Sequence, residues 1–330
     1  MNTDDRIAYS GQEASPQKPL SRREFVRLLT TLAAGGGIAA AGLGALTPSQ
    51  MAEAAEVITA RIGKLPKMKL GERMGNMKVS RILISSDWNP ALYGPGLAVG
   101  ANFVHKAGYW NSLPPEFRKI PREAYYTDIT VDSTPNNPDN EDEAYNQVVG
   151  SLQRNGLGYY DIFRAHFGWR SVDAFKHQTG TYRAFKRLKR ERKVRFFGVS
   201  QHATPGDSNY PAYPDIIQAE IDSGLIDSMQ VWFSASTTPE ITEVFARAHK
   251  AGIGMTAMKT YAQGAGAMRA NPDLQRKLGA EGSIGRACIR YSLSKTSPIS
   301  GKNPIFHCCV SALTNMGMFD ENMSALIKMA

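Results

Sequence analysis

Residues Gly156–His202 constrain the fold of this chain more than any other stretch. Tyr159–Ala165 is an aromatic and aliphatic run without Pro or Gly, and it delivers His166 at its end. Such a run reads as a short buried strand. Tyr182, Phe185 and Leu188 then recur at helical spacing, with Arg183, Lys186, Arg187, Lys189 and Arg190 between them. That pattern is an amphipathic helix with an apolar stripe and a basic outer face. Val194–Gly198 is a second apolar strand, running into Ser200 and Gln201. Strand, helix and strand in this order make a βαβ unit, so the two strands are expected to be parallel. Both place polar side chains just past their carboxyl ends, where α/β folds carry their chemistry.

The unit repeats. Strand-like runs fall near Ile82–Ser85, Asn102–His105, Tyr125–Val131, Tyr159–Ala165, Val194–Gly198, Met229–Phe233, Gly254–Met258 and Ile305–Val310. Helical patterns lie between or after them at Pro114–Ala124, Glu141–Asn155, Thr181–Arg192, Tyr213–Gly224, Pro239–Ala251, Ser283–Ser294 and Met318–Met329. Alternation sustained this long predicts an α/β fold of the (β/α)8 TIM barrel type. A doubly wound open sheet has the same alternation. It is the second reading, because no Gly-x-Gly-x-x-Gly turn follows the first strand. Two loops, Asp132–Asp142 and Thr204–Pro214, follow strands and are candidate lids, and Trp88, Asn89 and Tyr93 are candidate wall residues of the same mouth.

The amino-terminal region has a different character. Arg22-Arg23 precede an Ala/Gly/Leu segment, Leu28–Leu46, and a small-residue motif, Ala52-Glu53-Ala54. Paired arginines before such a segment are a twin-arginine address. The expectation is a cleavable signal peptide over 1–54 and a barrel over 55–330, exported folded to the periplasm by the twin-arginine machinery. The alternative is a retained anchor. The three cysteines, Cys288, Cys308 and Cys309, form no disulfide framework. Adjacent Cys308 and Cys309 diverge on a strand, which disfavours a metal site with His307. The formal charge of +9 is concentrated on the outer face of the helix near Arg183–Arg195. Without interleaved aromatics that face is solvated surface rather than a nucleic-acid site.

With these residues in place, YYDIFRAH and KVRFFGVSQH resemble the central signature of the aldo/keto reductases, and the resemblance extends from about Leu70 to the carboxyl end. It implies NAD(P)H-dependent reduction of an aldehyde or ketone by a Tyr proton donor tuned by Lys and Asp, with a His orienting the carbonyl. His166 matches that His. In Gly100–Trp110 the Asp position is His105, the next position is Lys106, and the Tyr position is Trp110, with Tyr109 one residue early. The third strand lacks the Lys, and Ile129 or Thr130 stands at its place. Tyr109 is then the expected donor, with Lys106 and His105 within one helical turn of it. For the cofactor, the resemblance implies Ser200, Gln201 and Gln230 at the carboxamide, Met258 under the nicotinamide, Lys259 in the cleft, and Glu321 and Asn322 at the adenine. Ala312 and Met318 stand where cations clamp a 2′-phosphate, so any NADPH preference is expected to be weak. The competing reading is an exported, redox-silent barrel that keeps a ligand pocket after losing the tetrad's Asp and Lys.

Overall fold

The structure, a computed structural model, describes residues 48–105, 113–132, 140–169, 171–201 and 213–327. Eight parallel strands close into a barrel. They are β1 (Ile82–Ser85), β2 (Phe103–His105), β3 (Tyr126–Val131), β4 (Tyr160–Ala165), β5 (Val194–Gln201), β6 (Ser228–Trp232), β7 (Gly254–Met258) and β8 (Cys308–Val310). Each pairs with the next in sequence, and β8 returns to pair with β1. Closure decides between the two architectures the sequence allowed, and it is the (β/α)8 barrel.

The helices used below are α1 (Pro48–Ile62), α2 (Glu141–Asn155), α3 (Gly180–Arg190), α4 (Tyr213–Asp222), α5 (Pro239–Lys250), α6 (Thr260–Arg269), α7 (Ile284–Ser294) and α8 (Met316–Ser324). Local chemistry sets their ends. The Asn140 side chain accepts from the Glu143 amide at the start of α2, and Gly156 closes that helix in the left-handed region. This satisfies terminal backbone groups that a bare helix leaves open. The apolar stripe of α3 buries Phe185 and Leu188, and Phe185 lies 5.0 Å from Phe197 of β5, centroid to centroid. On its outer face Arg183 pairs with Glu141 and Arg187 with Asp142, so part of the basic surface is neutralised by the start of α2. The segment read as one helix over Pro114–Ala124 is instead two 3-10 turns, Pro115–Lys119 and Arg122–Ala124. Pro121 lies between them, and a proline disfavours helical geometry in the residue before it.

An antiparallel hairpin, Lys67–Lys69 with Lys78–Ser80, covers the amino-terminal end of the barrel. Leu70, Met74, Met77 and Val79 pack against Leu83, Phe103, Ile162 and Cys308 from the barrel interior. The plug requires close backbone contact, for a Cβ on Gly71 would lie 2.6 Å from the Gly254 amide nitrogen. Helix α1 packs on the outside, with Ala54 and Ile58 fully buried and Arg61 paired with Asp320. Cleavage after Ala54 would divide this helix. The paired arginines and the Leu28–Leu46 segment lie outside the described residues, as do most of both candidate lids. Among the described residues no helix is long and apolar enough to cross a membrane.

The same end carries a histidine pair. His307 receives the Met255 amide on Nδ1 at 3.0 Å, and its ring stacks on His249 with 4.9 Å between centroids. Burial, with the His249 charge adding to it, pulls His307 down to about 4. The unfolded chain takes up that proton near pH 6.5, while the folded chain resists it until about pH 4. The neutral ring therefore contributes stability above pH 6.5 that is lost as pH falls toward 4, about 3 kcal/mol in all. Urea midpoints taken from pH 7 to 4 should show this loss, and His307→Asn should flatten it. Equal acid slopes in both proteins would assign the loss to other groups.

Candidate functional site

Strand alternation sorts the barrel's side chains, and register aligns them across strands. On β3, Asp128, Thr130 and then Asp132, just past the strand, share the inward face. Thr130 pairs with Arg164 of β4 and Val131 with Ala165, which brings Asp132 level with His166. Ser200 of β5 pairs in register with Gln230 of β6, and Gln230 with Thr256 of β7.

The interior is charged. Asp128 and Arg164 are both fully buried, with Arg164 Nε 3.0 Å from Asp128 Oδ2. Arg164 also donates through Nη1 to the Val199 carbonyl, while Nη2 is buried without a partner among the described residues. Gly198 beside it permits close packing, since a Cβ there would lie 3.0 Å from Ile162 Cγ2 and 3.2 Å from the Ser228 carbonyl oxygen. The same Asp128 carboxylate receives His105 Nδ1 at 2.8 Å, and Gln230 Nε2 lies 3.1 Å from His105 Nε2. With Nδ1–H donating to Asp128, Nε2 is the acceptor for the Gln230 amide. His105 is thus held at both ring nitrogens. The expected phenol at position 109 lies outside the described residues.

A second histidine–carboxylate pair lies nearer the rim. His166 Nδ1 is 3.0 Å from Asp132 Oδ1, and the Asp132 side chain is 36 % exposed. The residue beside His166 at the end of β3 is therefore an acid. Phe167 adopts a left-handed backbone with φ 61° and lays its ring 3.7 Å from the His166 ring, centroid to centroid. A non-glycine residue in that region stores strain that the surroundings must sustain, a feature that clusters at functional sites.

The expected cofactor residues divide. Ser200, Gln230 and Met258 are buried together at the carboxyl ends of β5, β6 and β7. The Met258 sulfur lies 3.6 Å from Gln230 Nε2, and Gln230 Oε1 is buried without a partner among the described residues. Gln201 is turned away from them. Its amide donates to Glu220 of α4 and lies against Gly168, where an added Cβ would be 2.4 Å from it. Ser200 and Gln201 are adjacent in sequence, so the strand sends them to opposite faces. Lys259 is left-handed with φ 55°, just before α6, and its ammonium sits 4.3 Å from the centre of the Trp232 ring. The Glu321 carboxylate accepts from Ser283 Oγ and from the Gly285 amide, at the start of α7, and Asn322 donates to Ser311 Oγ at 2.9 Å. Lys106, Tyr109 and Trp110 lie outside the described residues. Sequence reasoning missed Asp128, Arg164, Asp132 and Glu220. The two-residue spacing of Asp128, Thr130 and Asp132 was the signal that could have found the β3 acids.

No protein-family model matches this sequence, and no curated protein does. Solved structures do match. An aldo-keto reductase from Bacillus halodurans in its apo form is 18% identical and aligns over 79% of this chain and 90% of its own, with a TM-score of 0.58. An aldo/keto reductase from Brucella melitensis is 15% identical over 81% of this chain and 95% of its own, at a TM-score of 0.57. An aldo-keto reductase from a Medee basin deep-sea metagenome is 16% identical over 80% and 88%, at 0.53. The fold of this chain is the barrel of these proteins.

Proposed function

We propose that this barrel is an oxidoreductase that uses NAD(P)H to reduce an aldehyde or ketone outside the cytoplasm, carried there folded by a twin-arginine leader. The observation that carries the reading is the register pair of Ser200 and Gln230, with Gln230 Oε1 buried and unpartnered. A buried acceptor without a donor is costly, so it asks for one from a ligand. A carboxamide fits: its N–H would meet Gln230 Oε1, its carbonyl would meet the Ser200 hydroxyl, and the Met258 thioether would pack on the ring it carries. When bound, the dinucleotide supplies a hydride. The chain's own residues orient it and hold a histidine, His166, at the carboxyl end of β4, where a carbonyl oxygen needs a donor.

A second reading, a redox-silent binding barrel, is favoured by two placements: Gln201 is engaged by Glu220, and an acid, Asp132, stands beside His166. The experiment that separates them is a fluorescence titration of purified protein with NADH and NADPH. Saturable binding of both, with less than about a tenfold difference (about 1.4 kcal/mol), is the expected result. The absence of binding to either would leave the binding-barrel reading.

A further inference from the structure

We propose that His166, held by Asp132, is the residue that gives the proton to the substrate's carbonyl oxygen, in the role the family resemblance assigns to a tyrosine. This rests on the reductase reading above. The argument is one of charge sign. A tyrosine donor becomes a phenolate, an anion, so a cation beside it makes it a better acid. A histidine donor begins as an imidazolium, a cation, so a carboxylate beside it favours its charged form. The end of β3 carries Asp132, 3.0 Å from His166 Nδ1. That group works against a phenolate and in favour of an imidazolium. With Nδ1–H directed at Asp132, Nε2 is the nitrogen that carries the transferable proton.

Three features separate this pair from His105–Asp128. The Asp128 carboxylate is shared with the Arg164 guanidinium, so much of its charge is already compensated. His105 Nε2 is occupied by Gln230, whereas the Asp132 carboxylate reaches the rim, where protons exchange with water. The His166 ring is also fixed in plane, by Asp132 at one edge and by the ring of left-handed Phe167 across its face. Fixing a donor in this way lowers the reorganisation needed as charge develops on the substrate oxygen. The ionisable groups on the described elements around it include His105 on β2, Asp128 on β3, Arg164 and, at its far end, Asp161 on β4, Arg195 at the start of β5, Glu220 behind Gln201, and Asp87 and Lys259 past the ends of β1 and β7. Of these, Asp128 and Arg164 pair with each other, and Glu220 is held in its neutral form at pH 7 by burial.

The step balances. The carbonyl carbon gains a hydride from the reduced nicotinamide dinucleotide, and the carbonyl oxygen gains the proton that leaves His166 Nε2. The carbonyl is reduced to an alcohol, the dinucleotide is oxidised, and the imidazole takes its next proton from water. His166 is the catalytic residue and Asp132 its positioning residue.

The test combines two readouts on the purified protein. NMR titration of the His166 imidazole, without any dinucleotide, is expected to show its pKa lowered by about one unit or more in Asp132→Asn. The pH profile of kcat/KM for aldehyde reduction should carry a limb that falls as pH rises through the same pKa, and that limb should move down with it in Asp132→Asn. His166→Gln should lose about a hundredfold or more. A hundredfold loss in Tyr109→Phe with His166→Gln near wild type would return the donor role to the tyrosine and overturn the proposal. An unshifted His166 titration in Asp132→Asn removes the dyad alone, whereas a wild type that binds no dinucleotide removes the reductase reading and the donor role with it.

Discussion

Asp128→Asn is expected to destabilise the barrel by about 3–5 kcal/mol, enough to unfold a protein of ordinary stability. Asp128 and Arg164 are both fully buried and 3.0 Å apart. A guanidinium does not give up its proton inside a protein, so removing the carboxylate leaves a charge in the interior with no partner. The asparagine side chain matches the shape and can accept one hydrogen bond, but it does not offset the charge. Arg164 Nη2 already lacks a partner, so nothing in the described interior takes up the difference. His105 and Arg164 then compete for the one oxygen that remains. The control is the double variant Asp128→Asn with Arg164→Met. Replacing both members of a buried ion pair is often neutral, so the double variant should recover most of the loss, with a coupling of about 2 kcal/mol or more. Urea unfolding of wild type, both singles and the double measures this. A single-variant cost below about 1 kcal/mol, within the range of ordinary surface changes, would mean that the interior is wetter than this packing allows.

This ion pair also marks where the sequence stopped being readable. The eight strands were legible because parallel barrel strands are buried on both faces and read as apolar runs, as Tyr160–Ala165 and Gly254–Met258 do. An arginine inside such a run, as at Arg164, reads as an outward residue unless something shows that the inward face is polar. The spacing of Asp128, Thr130 and Asp132 was that clue, but a period of two over so few residues is weak without knowing which face closes inward. His166 was legible from its place at a strand end. Gln201 was not, because its adjacency to Ser200 suggested a shared task, while the pleat sends it toward α4. Helix α1 escaped notice because an Ala-rich segment after a leader pattern reads as part of the leader. Its burial of Ala54 and Ile58 is visible only once the barrel it leans on exists.

Glu220→Gln is expected to stabilise the protein, and to do so more strongly as pH rises. Glu220 on α4 is fully buried, and burial pushes its carboxyl up to about 8 despite the hydrogen bond from Gln201. In the unfolded chain the same group ionises near pH 4.3. Below that pH both states hold the proton and the group has no effect on the slope. Between about pH 4.3 and 8 the unfolded chain releases the proton and the folded chain keeps it, so stability falls continuously. The full difference is about 4–5 kcal/mol by pH 9. The substituted amide carries no charge to lose. Its oxygen can still accept from Gln201 Nε2, and its nitrogen takes the place of Oε2, which is already without a partner. Urea midpoints at pH 5, 7 and 9 should therefore diverge, with wild type losing stability that the variant keeps. Parallel slopes would show that Glu220 is ionised in the folded protein at neutral pH, with a counter-charge outside the described residues.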